Sequence, residues 1–166
     1  IILASNSPRR KELLKGLDLD FEVRVIPGID ESYPEDIPPE EVAVFIAKKK
    51  AKAYRNTMSY NELIITADTV VVIDNQIIEK PANREEAIRM IRHLPGRKHQ
   101  VITAVVLATT DKYKEFAVTS TVDFTDLTEE EIKYYVDKYK PFDKAGAYGI
   151  QEWIGYIGVR GIECSF

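Results

Sequence analysis

Leu63-Ile64-Ile65-Thr66-Ala67-Asp68-Thr69-Val70-Val71-Val72-Ile73 is a nearly unbroken apolar run that carries a single charge, Asp68. Such a run predicts a strand covered on both faces, at the centre of a sheet. The chain on either side supplies the rest of that sheet and its helices. Upstream, residues 1–4 read as a short buried strand. Ser7 is a good N-cap with Pro8 at the first helical position, and Gly16 ends that helix. Residues 21–26 alternate apolar and polar, as a strand does. Residues 27–39 form a loop rich in proline and acid, and Pro39 opens a long helix to about Thr57. Downstream, Asp74-Asn75 predicts a tight turn into a strand over 76–79. Asn83 caps a helix that stops at Pro95-Gly96. Strands over 100–108 and 115–125 are joined by a turn at Asp111-Lys112. Thr128 and Glu131 make a capping box for a helix to about Tyr139. A glycine-rich loop over 143–149 and an aromatic-rich segment follow. Alternating strands and helices place the chain in the α/β class.

The chain has 166 residues, enough for one domain or two small lobes. The loops at 34–39 and at Pro141 are the expected lobe boundaries. A formal net charge of −4 argues against a nucleic-acid or anionic-membrane surface, both of which want a basic excess. A local basic cluster for a small anion remains compatible with it. The lone cysteine, Cys164, excludes an internal disulfide and fits a cytoplasmic location. No apolar run is long enough to span a bilayer. Ile1-Ile2-Leu3-Ala4 is too short for a signal peptide, and without an initiator Met the natural start is expected to lie elsewhere.

Three segments are candidates for chemistry. The first is Ser5-Asn6-Ser7-Pro8-Arg9-Arg10. A helix start attracts anions through its unpaired N–H groups and its dipole, and Ser5 and Ser7 add hydroxyls. That dipole disfavours cations, so Arg9 and Arg10 in the first turn call for a bound anion such as a phosphate chain. Arg10 shares a helix face with Leu13, Leu14 and Leu17, which tilts it toward the protein body. The second is Lys50, which follows Ile46 and Ala43 and precedes Ala53 and Tyr54 at helical spacing. It sits inside an apolar arc, while Lys48, Lys52 and Arg55 lie on the polar side. A lysine there snorkels to water or meets an anion. The third is Asp68, a carboxylate in a central strand, costly unless paired, hydrogen-bonded or bound to metal. A bend at Asp68 is expected to bring it to the carboxyl end of the strand, where ligands of open α/β sheets sit.

Weaker signals are Glu31 in an acidic loop and Lys80-Pro81 at a strand end. His93 and His99 are too few for a metal triad. Trp153, Tyr148 and Tyr156 suit core packing or stacking on a base. No Gly-x-Ser-x-Gly elbow is present.

Taken in order, these segments resemble the Maf family of nucleotide pyrophosphatases. The likeness is carried by Leu3 through Arg10, Asp30-Glu31-Ser32, Ala47-Lys48-Lys49-Lys50-Ala51, Ala67-Asp68-Thr69-Val70-Val71, Glu79-Lys80-Pro81, His99-Gln100-Val101-Ile102-Thr103 and Asp143-Lys144-Ala145-Gly146-Ala147-Tyr148-Gly149-Ile150-Gln151. The resemblance implies a central mixed twisted sheet flanked by helices, in two lobes with a cleft between them, as in the inosine triphosphate pyrophosphatases. It implies cleavage of a nucleoside triphosphate, dTTP or UTP, to a monophosphate and pyrophosphate with Mg²⁺ or Mn²⁺. By this likeness Ser5, Arg9, Arg10, Lys50 and Lys80 contact phosphate. Asp68 matches a general base and Glu31 an acidic position helping metal or water, with either carboxylate a metal ligand. Arg9, Thr69 and Gln151 match positions that select the base. It also implies a homodimer, and a strand and closing helix beyond Phe166. The competing expectations are a non-catalytic nucleotide-binding regulator of septum formation and cell division, and a nucleotidyltransferase.

Overall fold

The computed structural model describes residues 1–163; Cys164 lies outside the described residues. Among the described residues the strands form a mixed sheet of seven in the order β2 (Glu22–Val23), β1 (Ile2–Leu3), β3 (Ile64–Ile73), β5 (Lys98–Ala108), β6 (Tyr113–Phe124) and β7 (Val159–Glu163), with β4 (Gln76–Ile78) paired to β3. Two compact units divide the chain. One comprises Ile1–Asp68 and Thr103–Ala117; the other runs from Thr69 to Ile102 and resumes at Val118. The units part within long strands, not at the loops over 34–39 and at Pro141. Proline and acid mark where the chain leaves a strand or helix, whereas a long strand can serve two cores. Among the described residues no helix is long and apolar enough to cross a membrane.

The first unit is built on β1 (Ile2–Leu3), α1 (Pro8–Lys15), β2 (Glu22–Val23), α2 (Pro39–Tyr54) and the first half of β3 (Ile64–Ile73). β1 lies parallel to both β2 and β3, with Ile2 opposite Ile64 and Leu3 opposite Ile65. The strand expected over 21–26 contracts to two exposed residues, because its only neighbour, β1, is itself two residues long. A small core of Ile2, Tyr54 and Ile64 closes beneath these strands, and the Tyr54 hydroxyl accepts the Ile26 N–H. α2 begins at Pro39, with Glu40 and Glu41 in the turn where the dipole favours acid. It ends at Tyr54, and residues 55–57 tighten into a 3₁₀ turn. Ala43, Ala47 and Ala51 form a buried stripe at four-residue spacing. On that side the Thr66 hydroxyl of β3 donates to the Ala47 carbonyl at 2.7 Å.

The second unit carries the rest of β3, β4 (Gln76–Ile78), α3 (Arg84–Arg92), α4 (Glu129–Tyr139), α5 (Trp153–Gly158) and β7 (Val159–Glu163). β5 (Lys98–Ala108) and β6 (Tyr113–Phe124) run through both units. Asp74 and Asn75 both take positive φ, 49° and 61°, as a two-residue hairpin turn requires, and set Ile73 opposite Gln76. The Thr128–Glu131 capping box is formed in full. α3, α4 and α5 bury Ile88, Ile91, Ile132, Tyr135, Val136 and Ile154 with Val71, Val122 and Phe124. Each such large side chain contributes about 1.5–3 kcal/mol by leaving water. The closing aromatic segment resolves into α5 and β7. There Trp153 packs edge-on against Tyr134 and Tyr148 is buried, while Tyr156 is 85% exposed.

Candidate functional site

Asp68 is buried in the middle of an uninterrupted strand; β3 does not bend there. β1 ends at Leu3, and its last ladder bond, Ala4 N–H to Ile65 carbonyl, stops short of Asp68. The chain leaves the sheet at Ser5, so the edge of β3 beyond Ile65 is released from β1. The bend expected to carry Asp68 to the carboxyl end of the strand is not formed; Asp68 lies instead beyond the register that β1 covers.

Lys50 meets two anions. Its Nζ donates to Asp68 Oδ1 at 2.8 Å and lies 3.0 Å from Glu31 Oε1. Only 13% of its side chain is exposed, so it does not snorkel. Burial pushes the Asp68 carboxyl above its ordinary pKa, against the opposing pull of Lys50 and Arg10. A carboxylate held up in this way is a better proton acceptor than a solvated one.

Arg10 turns inward. Its Nη1 donates to the Ala67 carbonyl at 2.9 Å, and burial lowers its pKa against the pull of Asp68. The face that was expected to tilt it inward is only partly apolar in effect. Leu14 is buried, but Leu13 and Leu17 are 69% and 65% exposed. Arg10 is drawn by a carbonyl and a carboxylate, and not by its leucine neighbours. Ser5 is buried, with its Oγ accepting the Ser7 N–H at 3.2 Å, and Ser7 Oγ caps the Arg10 N–H at 3.5 Å. Pro8 has no N–H, so few first-turn donors are left for an anion, and side chains carry more of any phosphate binding than the helix dipole does.

Glu31 owes its place to residues that the sequence reading passed over. Asp30 accepts the Ser32 N–H at 2.9 Å and the Ser32 hydroxyl at 2.8 Å, a closed turn around Glu31. Lys49 Nζ clasps that turn at Asp30 Oδ2, 2.5 Å, and the Ser32 carbonyl, 2.9 Å. The Lys49 hydrogen bond, then those from Ser32, holds the Asp30 carboxyl well below the usual range. Lys49 and Lys50 therefore divide the work: one fixes the loop, the next takes the carboxylate the loop presents. An Asp two residues before a Ser is the local signal for such a turn, but nothing local names its lysine. Lys48 instead pairs with Glu115 at 2.8 Å.

Arg9 lies half-buried in the first turn of α1, and the remaining candidates belong to the second unit. Thr69 follows Asp68 in β3 and is half-buried; Lys80 and Gln151 are exposed. His99 is buried, its Nε2 2.5 Å from the Tyr148 hydroxyl, and among the described residues its Nδ1 has no partner. Among the described residues no three His, Cys, Asp or Glu side chains converge as a metal group would need. Asp68 and Glu31 nevertheless fit a shared cation, since both already point at one ammonium. A divalent ion there would take its other ligands from phosphate and water, the usual arrangement for Mg²⁺.

The sequence has known counterparts. The family profile described as Maf-like protein matches residues 1–166. A protein of Parabacteroides distasonis named dTTP/UTP pyrophosphatase is 60% identical over 166 residues, all of this chain and 86% of its own length. Proteins of the same name from Bacteroides thetaiotaomicron and Flavobacterium psychrophilum are 57% and 46% identical, again over the whole of this chain and 86% and 85% of theirs.

Proposed function

The chain belongs to the Maf family, and from that premise we propose that it cleaves dTTP and UTP between the α- and β-phosphates. As a nucleoside triphosphate pyrophosphatase it yields a nucleoside monophosphate and pyrophosphate. The observation that carries the reading is the cation at Lys50 shared by Asp68 and Glu31, beside the inward-turned Arg10. Phosphoryl chemistry needs positive charge around the phosphates and a base for water, and this unit supplies both.

In the proposed reaction, Arg9, Arg10, Ser5 and Ser7 hold the phosphate chain. Asp68, its proton affinity raised by burial, takes a proton from water as the water oxygen bonds to the α-phosphorus. The bond from that phosphorus to the bridging oxygen breaks, and its electron pair leaves on pyrophosphate. Lys50 keeps Asp68 and Glu31 from repelling one another and, with Lys80, balances the developing charge. With Asp68 as base, Glu31 would hold a divalent cation, Mg²⁺ or Mn²⁺, which when bound supplies charge neutralisation on the polyphosphate; with Asp68 as the ligand instead, Glu31 would position the water. Arg9, Thr69 and Gln151 select the base. The acidic chain and its single cysteine support a cytoplasmic enzyme, and the family likeness supports a homodimer, to be checked by light scattering.

The test is pyrophosphate release from dTTP, UTP, CTP and purine triphosphates, with and without Mg²⁺. Free monophosphate with dTTP and UTP favoured is the expected result. Binding without turnover would turn the reading toward a nucleotide-binding regulator, and product that appears only with an acceptor would make it a transferase.

A further inference from the structure

Residues 143–151 form a loop held to an unusual degree. Gly146 and Ala147 take consecutive left-handed conformations, φ 71° and 60°, the second rare for a residue with a side chain. The Gly146 N–H donates to the Glu79 carbonyl at 3.1 Å, and a Cβ on Gly146 would stand 3.1 Å from Val71. The next part of the loop is fixed from α4. The hydroxyl of Tyr135, fully buried, accepts the Gly149 N–H at 3.0 Å and donates to the Glu152 carboxylate. The other oxygen of Glu152 meets Lys144 Nζ at 3.1 Å, and Lys144 is itself buried. A Cβ on Gly149 would press on both Glu152 and Lys144, at 3.1 and 3.2 Å. A Cβ on Gly155 would fall 1.8 Å from the Ile150 carbonyl oxygen, so α5 closes on that peptide as only glycine allows.

A buried tyrosine and a buried ammonium closed on a half-buried carboxylate are a costly way to secure a turn, since apolar packing serves stability as well or better. What such a network adds is one fixed geometry. At the end of this frame Gln151 is exposed, as is Asp143 at its start. A glutamine amide has one donor end and one acceptor end. By turning over, a loose amide serves either the donor-and-acceptor edge of thymine and uracil or the reversed edge of cytosine. A backbone fixed at 151 limits where that amide meets the base and so which edge it reaches.

We infer that Tyr135, through Glu152 and Lys144, is a positioning residue for base selection, fixing the turn that presents Gln151. The inference rests on the proposal that Gln151 meets the base. Tyr135→Phe keeps the ring and removes the hydroxyl. Glu152→Gln, which keeps the shape and removes the charge, is the second probe, read by the same criteria should Tyr135→Phe melt below the assay temperature.

The experiment measures kcat and KM for dTTP, UTP and CTP in these variants, in Gln151→Ala and in Tyr135→Phe/Gln151→Ala. Gln151→Ala is expected to lower the preference for dTTP over CTP about tenfold. Tyr135→Phe should lower it at least about fivefold, through KM, with kcat for dTTP within about twofold. The double variant should discriminate no worse than Gln151→Ala alone, as residues acting in one chain of contacts do. A ratio unchanged in Tyr135→Phe while Gln151→Ala shifts it overturns the positioning role. Effects that multiply in the double variant also overturn it. No shift in Gln151→Ala sinks the base-selecting role of Gln151, and the inference falls with it.

Discussion

Lys50 is one ammonium that reconciles two carboxylates, and the chemistry of the site follows from that. Removing either end of the pair is informative. Asp68→Asn keeps the size of the side chain and its hydrogen bonds with neighbours, so the fold should persist while turnover drops at least ~10²-fold, the ordinary range for a lost general base. A variant with near-wild-type turnover would end the assignment of Asp68 as base. Lys50→Met leaves Asp68 buried without its cation. It should lower stability by about 1–3 kcal/mol, the usual cost of an uncompensated buried polar group, and be seen as an earlier thermal melt together with lost turnover. A melt indistinguishable from wild type would mean that the pair carries no structural weight. Lys49 is a different case. Its bonds go to the turn that carries Glu31 and not to the site itself.

Elements set these residues by length and by close approach. β1 is short, and its early end beside Ile65 leaves the Asp68 edge of β3 unladdered by that neighbour. The alanine stripe of α2 is buried throughout, and Thr66 bonds the Ala47 carbonyl where that stripe meets β3. Thr66→Val preserves shape and deletes this bond. A loss of about 1 kcal/mol is expected, measured by urea denaturation, and a gain in stability would show that the bond contributes nothing net. The hairpin after β3 illustrates the opposite situation, in which local chemistry suffices. Asp74 and Asn75 are residue types that tolerate the left-handed region, and both occupy it.

The whole molecule carries a pH dependence of its own through His99. Burial lowers its pKa from 6.5 to about 4, so the unfolded chain binds an extra proton between those values. Stability from this group is therefore full above pH 6.5 and fades as pH falls toward 4, with a slope of at most about 1.4 kcal/mol per pH unit. Melting curves from pH 4 to 7.5 should show that slope in wild type and a flatter one in His99→Gln; equal slopes would place the dependence elsewhere. The order of strands and helices, the caps of α1, α3 and α4 and the turn at Asp74-Asn75 were legible in the sequence, because each is decided by residues within a few positions of one another. Ser5, Arg10, Lys50 and Asp68 stood out in the sequence as candidates, since each is a charge or hydroxyl in a setting that needs a reason, whereas Glu31 rested on the family likeness. Their partners were not legible. Lys50 finds Asp68 across 18 positions and Arg10 finds Ala67 across 57, and periodicity is silent over such spans. The two-residue length of β2, the clasp of Lys49 on Asp30 and the frame of Tyr135, Glu152 and Lys144 around Gly149 likewise exist only once the elements have packed. Local sequence selects conformations, whereas a charge meets its counter-charge through the placement of distant segments, and only the tertiary structure supplies that.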